Sequence, residues 1–197
     1  MSRLVVVSNR VALPGESAPG GLAVGLQAAL AARGGLWFGW SGKTAREDSG
    51  ALHEQRDGEI RYVTLDLSRQ DVAAYYNGFS NRTLWPLLRD DDTVWIHDYH
   101  LIPLAAMLRE RGVGCRIGFF LHVPMPSADI AASLPEHGQL FGALFAHDLV
   151  GFQTRRDAER FRSYARLFGG ATLVGDDGLR LPDGRSVRVG TFPIGID

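Results

Sequence analysis

The sequence lacks the features that mark several common classes of protein. Cysteine occurs once among 197 residues, as Cys115, so no disulfide can form within the chain, and a reducing, cytoplasmic setting is expected. The apolar run at 4–7 is too short for a signal peptide or a membrane span. The net charge is −1, which gives no overall attraction to nucleic acid or to an anionic membrane. Any anion site must therefore be local.

Two further absences concern cofactors and metals. No G-x-G-x-x-G segment joins a strand to a helix, so a nicotinamide-dependent enzyme is disfavoured. His97, Asp98 and His100 lie close in sequence, yet no histidine or carboxylate pair at i, i+4 accompanies them on a helix, and no metal is predicted there. The acidic run 90–92 precedes a strand instead of following one, which favours a solvated turn.

Strand-like and helix-like stretches alternate along the chain, and this alternation predicts a single α/β domain over 1–197. Its form is a Rossmann-like parallel sheet with helices on both faces. A polar turn is predicted at 41–58, and short strands joined by hairpins are predicted after 170. The predicted strands lie at 3–8, 35–40, 60–66, 93–97, 115–122 and 148–152, and the predicted helices at 21–32, 69–78, 101–111, 127–133, 137–146 and 155–168.

A glycine pair, Gly20 and Gly21, lies at the end of the loop that connects the first strand to the first helix. Glycine lets a ligand approach the backbone closely, and a helix N-terminus offers unpaired N–H groups and partial positive charge. Arg10 adds a cation with forked donors at the carboxyl end of the strand, where open α/β sheets bind ligands. These residues predict a site for a phosphorylated metabolite, although glycines in a loop also serve turns alone.

Two later strands end in polar side chains at the same predicted edge. Asp98 follows the strand at 93–97 and is placed to accept hydrogen bonds from substrate hydroxyls, to take a proton, or to cap the helix that follows. His122 ends the strand at 115–122, and prolines on both sides of Met125 follow it. It binds a sugar hydroxyl, orients a neighbouring group, or is a satisfied core histidine. Tyr76 and Trp85 are candidates for stacking on sugar faces or reaching a phosphate.

Several long motifs in order resemble the trehalose-6-phosphate synthase family, whose members are retaining glycosyltransferases of the GT-B fold with two facing Rossmann-like domains. The motifs are VVVSNR at 5–10, Gly20-Gly21, GGLWFGWSG at 34–42, YYNGFSNRTLWP at 75–86, VWIHDYHLIP at 94–103, IGFFLHVPMP at 117–126, LVGFQT at 149–154 and FPIGID at 192–197.

The resemblance implies transfer of glucose from UDP-glucose to glucose 6-phosphate, with retention and without a metal or other cofactor. By matching motif, Arg10 would bind the phosphate of the acceptor, and Gly20 and Gly21 would approach the donor diphosphate. Tyr76 and Trp85 would line the acceptor pocket. Asp98 would bind the acceptor sugar, and His122 would lie at the reacting centre, so these two are the candidate catalytic residues.

The sequence departs from the family pattern in two places. A helical stretch that follows LWP in the family is absent after Pro86, and the second, nucleotide-sugar domain that follows FPIGID in the family is absent. The chain therefore looks cut, resembles the N-terminal, acceptor-side half, and is expected to be inactive alone. The alternatives are a relative with another acceptor, such as glucosylglycerol-phosphate synthase, or a non-catalytic sugar-phosphate sensor. Oligomeric state stays open, including a homo-oligomer of the full-length protein.

Overall fold

The computed structural model describes residues 3–15, 21–45, 51–68 and 84–193. In these residues the strands are β1 (Leu4–Arg10), β2 (Gly35–Ala45), β3 (Leu52–Asp57), β4 (Ile60–Ser68), β5 (Thr93–His97), β6 (Arg116–Leu121), β7 (Leu149–Phe152), β8 (Thr172–Val174), β9 (Gly178–Arg180) and β10 (Ser186–Thr191). The α-helices are α1 (Gly21–Arg33), α2 (Leu104–Glu110), α3 (Ala128–Ala132), α4 (His137–Gly142) and α5 (Arg155–Phe168). Short 3₁₀ turns occupy Trp85–Leu87, Tyr99–Leu101 and Ala143–Ala146.

All ten of these strands form one sheet, in the order β3-β4-β2-β1-β5-β6-β7-β10-β9-β8. The central strands from β4 to β10 pair in parallel. The prediction of a parallel sheet is thus confirmed for the centre and incomplete at the edges, because β3, β9 and β8 pair antiparallel. The predicted hairpins after 170 account for one of these edges.

Helices cover both faces of the sheet, as the alternation of elements predicts. Leu26 and Leu30 of α1 pack on one face against Val6 of β1 and Trp37 of β2. On the opposite face a larger cluster joins alternate residues of the central strands to α2 and α5; it includes Val5, Val7, Ile96, Phe119, Val150, Leu104, Leu108, Ala158 and Phe161. Burial on both faces explains why the central strands read as continuous apolar runs.

The last helix shows how local sequence sets its bounds. The Thr154 side chain accepts a hydrogen bond from the backbone N–H of Asp157 and caps the helix, and Gly169 follows its last residue. Ala158, Phe161 and Tyr164 lie on its buried face. The predicted helix at 155–168 and its Thr154 cap are confirmed.

Two predicted elements differ from the structure. The polar turn at 41–58 is wrong over most of its length, because β2 continues to Ala45 and Leu52–Asp57 forms β3. The predicted helix at 101–111 begins later, at Leu104, because Tyr99–Leu101 is a 3₁₀ turn and Pro103 stands at the N-cap. The predicted helix at 69–78 lies outside the described residues.

Cys115 is buried directly before β6, and burial raises the pKa of its thiol. None of the helices described is long and apolar enough to cross a membrane.

Candidate functional site

The carboxyl ends of β1, β5 and β6 meet at one edge of the sheet, because parallel neighbours point the same way. A cleft of about 200 Å³ opens at this edge beside the start of α1. Its lining includes Asn9, Arg10, Leu22, Trp37, His97 and Asp98. Arg10 and Asp98, which the sequence predicts as site residues, are therefore brought to one cleft.

Arg10 ends β1 and is exposed. The Ser8 hydroxyl donates to the Arg10 carbonyl at 2.9 Å and accepts from the Trp37 indole N–H at 2.8 Å, which fixes the backbone just before the cleft. Among the described residues no carboxylate forms an ion pair with the Arg10 guanidinium. Its positive charge is therefore not neutralised by any carboxylate described, which suits an anionic ligand.

Gly21 is the first residue of α1, whose next residues Leu22 and Ala23 line the cleft. A Cβ added at Gly21 would meet no described atom within 4 Å. Packing by the described residues therefore gives no reason for glycine there. Gly20 lies outside the described residues.

Asp98 has a backbone conformation that is rare for any residue with a side chain. Its φ is 72° and its ψ is 162°, and it is the one non-glycine residue described that has positive φ. Its N–H donates to the Phe120 carbonyl at 2.9 Å, and its carboxylate accepts from the backbone N–H of Tyr99 at 3.0 Å. The predicted capping role is therefore observed, for a 3₁₀ turn. Strained backbone of this kind clusters at functional sites.

His122 follows β6 and contacts a second histidine, His97, at the end of β5. His97 Nδ1 and His122 Nε2 lie 3.0 Å apart, and the two rings stack with centroids 5.3 Å apart. Burial, and next the neighbouring His122, lower the pKa of His97 to about 3. Burial lowers the pKa of His122, while the nearby Asp98 carboxylate opposes that shift. Both rings are therefore neutral at pH 7, and one donates its N–H to the other.

His97 was missed as a site residue by sequence reasoning, which considered it only as a metal ligand. It is buried, and its Nε2 atom has no hydrogen-bond partner in the described part of the chain. Its position directly before Asp98, at a strand end, is the signal that could have found it.

The remaining predicted site residues cannot be placed. Tyr76 lies outside the described residues, as does the side chain of Trp85, whose backbone begins a 3₁₀ turn. Within the described ranges no group of three or more histidine, cysteine, aspartate or glutamate residues could hold a metal ion.

The prediction that the acidic run 90–92 is a solvated turn is only partly right. Asp90 and Asp91 are exposed, but Asp92 is buried and accepts hydrogen bonds from the Arg3 guanidinium and from the backbone N–H of Arg89. This pair lies at the amino ends of the strands, away from the cleft.

The open, mostly parallel sheet carries a cation, a helix N-terminus and the strained Asp98 at its carboxyl edge, and its structure matches about half of a GT-B glycosyltransferase. Within that class, the model of glycosyltransferase family 20 matches residues 87–197. The chain belongs to this family. The match begins directly after Pro86, the point after which the sequence predicts a departure from the family pattern.

Solved and curated relatives agree with the family. A trehalose-6-phosphate synthase of Escherichia coli O1:K1 / APEC is 43% identical over 231 residues, covering 100% of this chain and 48% of the relative. The Escherichia coli trehalose-6-phosphate structure bound with UDP-2-fluoro glucose is 42% identical with a TM-score of 0.87, over 100% of this chain and 49% of that one. The Burkholderia xenovorans alpha,alpha-trehalose-phosphate synthase (UDP-forming) in complex with glucose-6-phosphate is 39% identical with a TM-score of 0.86, over 99% and 50%. The chain spans about half the length of these relatives.

Proposed function

We propose that this chain is the acceptor-side half of an α,α-trehalose-phosphate synthase, which transfers glucose from UDP-glucose to glucose 6-phosphate with retention. The observation that carries the proposal is the cleft at the carboxyl edge, where Arg10, the N-terminus of α1 and Asp98 meet. The family and the named relatives support the chemistry.

In the proposed mechanism, Arg10 binds the phosphate of the acceptor by charge-assisted hydrogen bonds. The N–H groups that begin α1, with Gly20 and Gly21, face the diphosphate of the donor. Asp98 accepts hydrogen bonds from the acceptor sugar, and His122 contacts the transferred glucose. The neutral His97 holds the His122 ring and sets which of its nitrogens carries the proton.

The hydroxyl of the acceptor attacks the anomeric carbon on the face from which the diphosphate departs. The departing diphosphate takes the proton of that hydroxyl, so support of the leaving group matters more than a protein base. Asp98 is then a group that positions the acceptor. No metal or other cofactor takes part in the proposed reaction.

The residues that hold the nucleotide belong, in this proposal, to a second domain not contained in the 197 residues. The chain alone would then bind sugar phosphate and form little or no product. Formation of trehalose 6-phosphate by the isolated chain would contradict this part. We also propose a cytoplasmic setting, supported by the single buried cysteine.

The test is calorimetric titration of the chain with glucose 6-phosphate, with and without UDP. Arg10→Ala should weaken binding by about 10- to 100-fold, the loss of one or two charge-assisted hydrogen bonds. Arg116→Ala removes an exposed arginine at the opposite edge, where β6 begins, and should leave binding unchanged. Equal binding by wild type and Arg10→Ala would refute the assigned acceptor site.

The same titration separates the alternatives. Binding of glycerol 3-phosphate in preference to glucose 6-phosphate would favour a glucosylglycerol-phosphate synthase. Glucose 6-phosphate binding with no product when a donor-side domain of a relative and UDP-glucose are added would favour a sugar-phosphate sensor.

A further inference from the structure

Arg10 rests against Gly42, in the segment of β2 that reaches the cleft edge. A Cβ placed on Gly42 would lie 2.8 Å from Arg10 Nε, 2.9 Å from Cζ and 3.0 Å from Nη2. A side chain at position 42 would therefore occupy space that the guanidinium uses. Gly42 also has a φ of +85°, which disfavours any residue with a Cβ.

The loop that contains Gly42 is held in place by its own hydrogen bonds. The register between β2 and β4 shifts between Trp40 and Thr44, which marks a bulge in β2. The Trp40 indole N–H donates to the Lys43 carbonyl at 2.8 Å. The Ser41 hydroxyl donates to Asp66 Oδ1 at 2.5 Å and accepts from the Lys43 N–H at 3.0 Å. None of these bonds involves Arg10, so the loop forms a fixed surface on which the guanidinium rests.

The backbone around Arg10 is also held by β2. The register of β1 on β2 shifts between Ser8 and Arg10, and the Val11 N–H donates to the Trp40 carbonyl at 3.0 Å. An arginine side chain loses rotamer freedom when it is ordered. With its backbone fixed and Gly42 beneath its guanidinium, part of that entropy is lost before any ligand arrives, and preorganisation of this kind raises affinity.

We propose that Gly42 is a positioning residue that seats the Arg10 guanidinium in the orientation used to bind the phosphate of the acceptor. The inference rests on the proposed function, because it takes Arg10 as the phosphate-binding residue. Gly42 acts through Arg10 and touches no substrate itself.

The test compares Gly42→Ala with a matched control, Gly184→Ala. Gly184 also has a φ of +85°, but a Cβ there would meet nothing within 4 Å, so the control reproduces the backbone strain without the contact. Gly42→Ala should weaken glucose 6-phosphate binding about 10-fold or more, as displacement of a charged donor does. Gly184→Ala should bind as the wild type does. Thermal unfolding of both variants reports whether strain has been matched.

A second readout needs no ligand. The Nε–H resonance of Arg10, assigned by its loss in Arg10→Ala, should shift in the ¹⁵N–¹H spectrum of Gly42→Ala and stay in place in Gly184→Ala. If Gly42→Ala does not fold, Ser41→Ala is used instead, because it keeps the glycine and removes the hydrogen bond between the loop and Asp66. It should shift the same resonance and weaken binding several-fold, and an unchanged resonance and affinity would overturn the proposal.

The outcomes distinguish the two proposals. Loss of binding in Arg10→Ala but not in Gly42→Ala overturns the positioning role and leaves the proposed function standing. Failure of wild type to bind glucose 6-phosphate counts against the acceptor site and therefore against Gly42 as a determinant of affinity. A resonance shift in Gly42→Ala alone would then show only that the contact exists.

Discussion

Because the backbone of Asp98 is strained, we expect glycine at this position to be more stable than alanine, the reverse of the usual order. Both Asp98→Ala and Asp98→Gly remove the carboxylate and its hydrogen bond to Tyr99. The two variants differ in whether a Cβ must be held at φ 72° and ψ 162°. Their difference in unfolding free energy therefore isolates the backbone strain.

The magnitude follows from two opposing effects. Holding a residue with a side chain in this region costs about 1–3 kcal/mol. Glycine loses more backbone entropy on folding, which costs about 0.5–1 kcal/mol relative to alanine. Asp98→Gly should therefore be more stable than Asp98→Ala by about 1 kcal/mol, or about 2–4 °C in Tm for a chain of this size.

Urea unfolding followed by circular dichroism measures this difference, and Asp129 provides the matched control. Asp129 is exposed in the first turn of α3, where glycine should be the less stable substitution by nearly 1 kcal/mol. The order of stability should thus reverse between the two sites. If Asp98→Gly is no more stable than Asp98→Ala while the Asp129 pair behaves normally, the strain at Asp98 does not exist.

Two further predictions concern buried groups. Asp157→Ala should lower the unfolding free energy by about 2–4 kcal/mol, because it leaves the buried Met125 N–H without its acceptor and removes a partner of the Thr154 cap. Asp157→Asn, which keeps one acceptor oxygen, should cost less in urea unfolding, and an equal cost would contradict the assignment. Burial lowers the pKa of His147 to about 4, so this ring is neutral in the fold but takes up a proton near pH 6.5 when unfolded. Its contribution is complete above pH 6.5 and is lost as the pH falls toward 4, by up to about 1.4 kcal/mol per pH unit. His147→Gln should reduce the slope of unfolding free energy against pH over that range by the amount that corresponds to one proton. Part of the slope that remains comes from His97. An unchanged slope would show that His147 does not titrate on unfolding.

The sequence predicts those elements whose determinants are local. Helix α5 has its cap, its apolar face and its terminating glycine within one stretch of sequence, and its predicted bounds match the structure. Strand β3 has no such signal, because all six of its residues are exposed. It lies at an edge of the sheet and takes its conformation from pairing with β4, and charged residues are typical of exposed edges. Asp92 is a similar case, because its partner Arg3 is 89 residues away.

The candidate site also contains residues that the sequence predicts and residues that only the fold reveals. Arg10 and Asp98 are predictable because the carboxyl ends of parallel strands meet at one edge, whichever strands are neighbours. The proposed roles of His97 and Gly42 depend on neighbours in the folded chain: His97 lies 3.0 Å from His122, and Gly42 leaves the space that the Arg10 guanidinium occupies. A one-dimensional pattern shows a histidine and a glycine at these positions without showing what lies beside them.

Two features of the carboxyl edge cost stability, and a third is a charge that has no ion-pair partner among the described residues. Asp98 holds a strained backbone, His97 Nε2 is buried without a partner among the described residues, and the Arg10 charge faces the cleft without a described carboxylate. Elsewhere, other buried or partly buried charges such as Asp92 and Asp157 have partners. A ligand bound in the cleft would supply partners for the polar groups at this edge. A sugar phosphate offers both the anion that Arg10 lacks and the hydroxyl groups that His97 and Asp98 can bind.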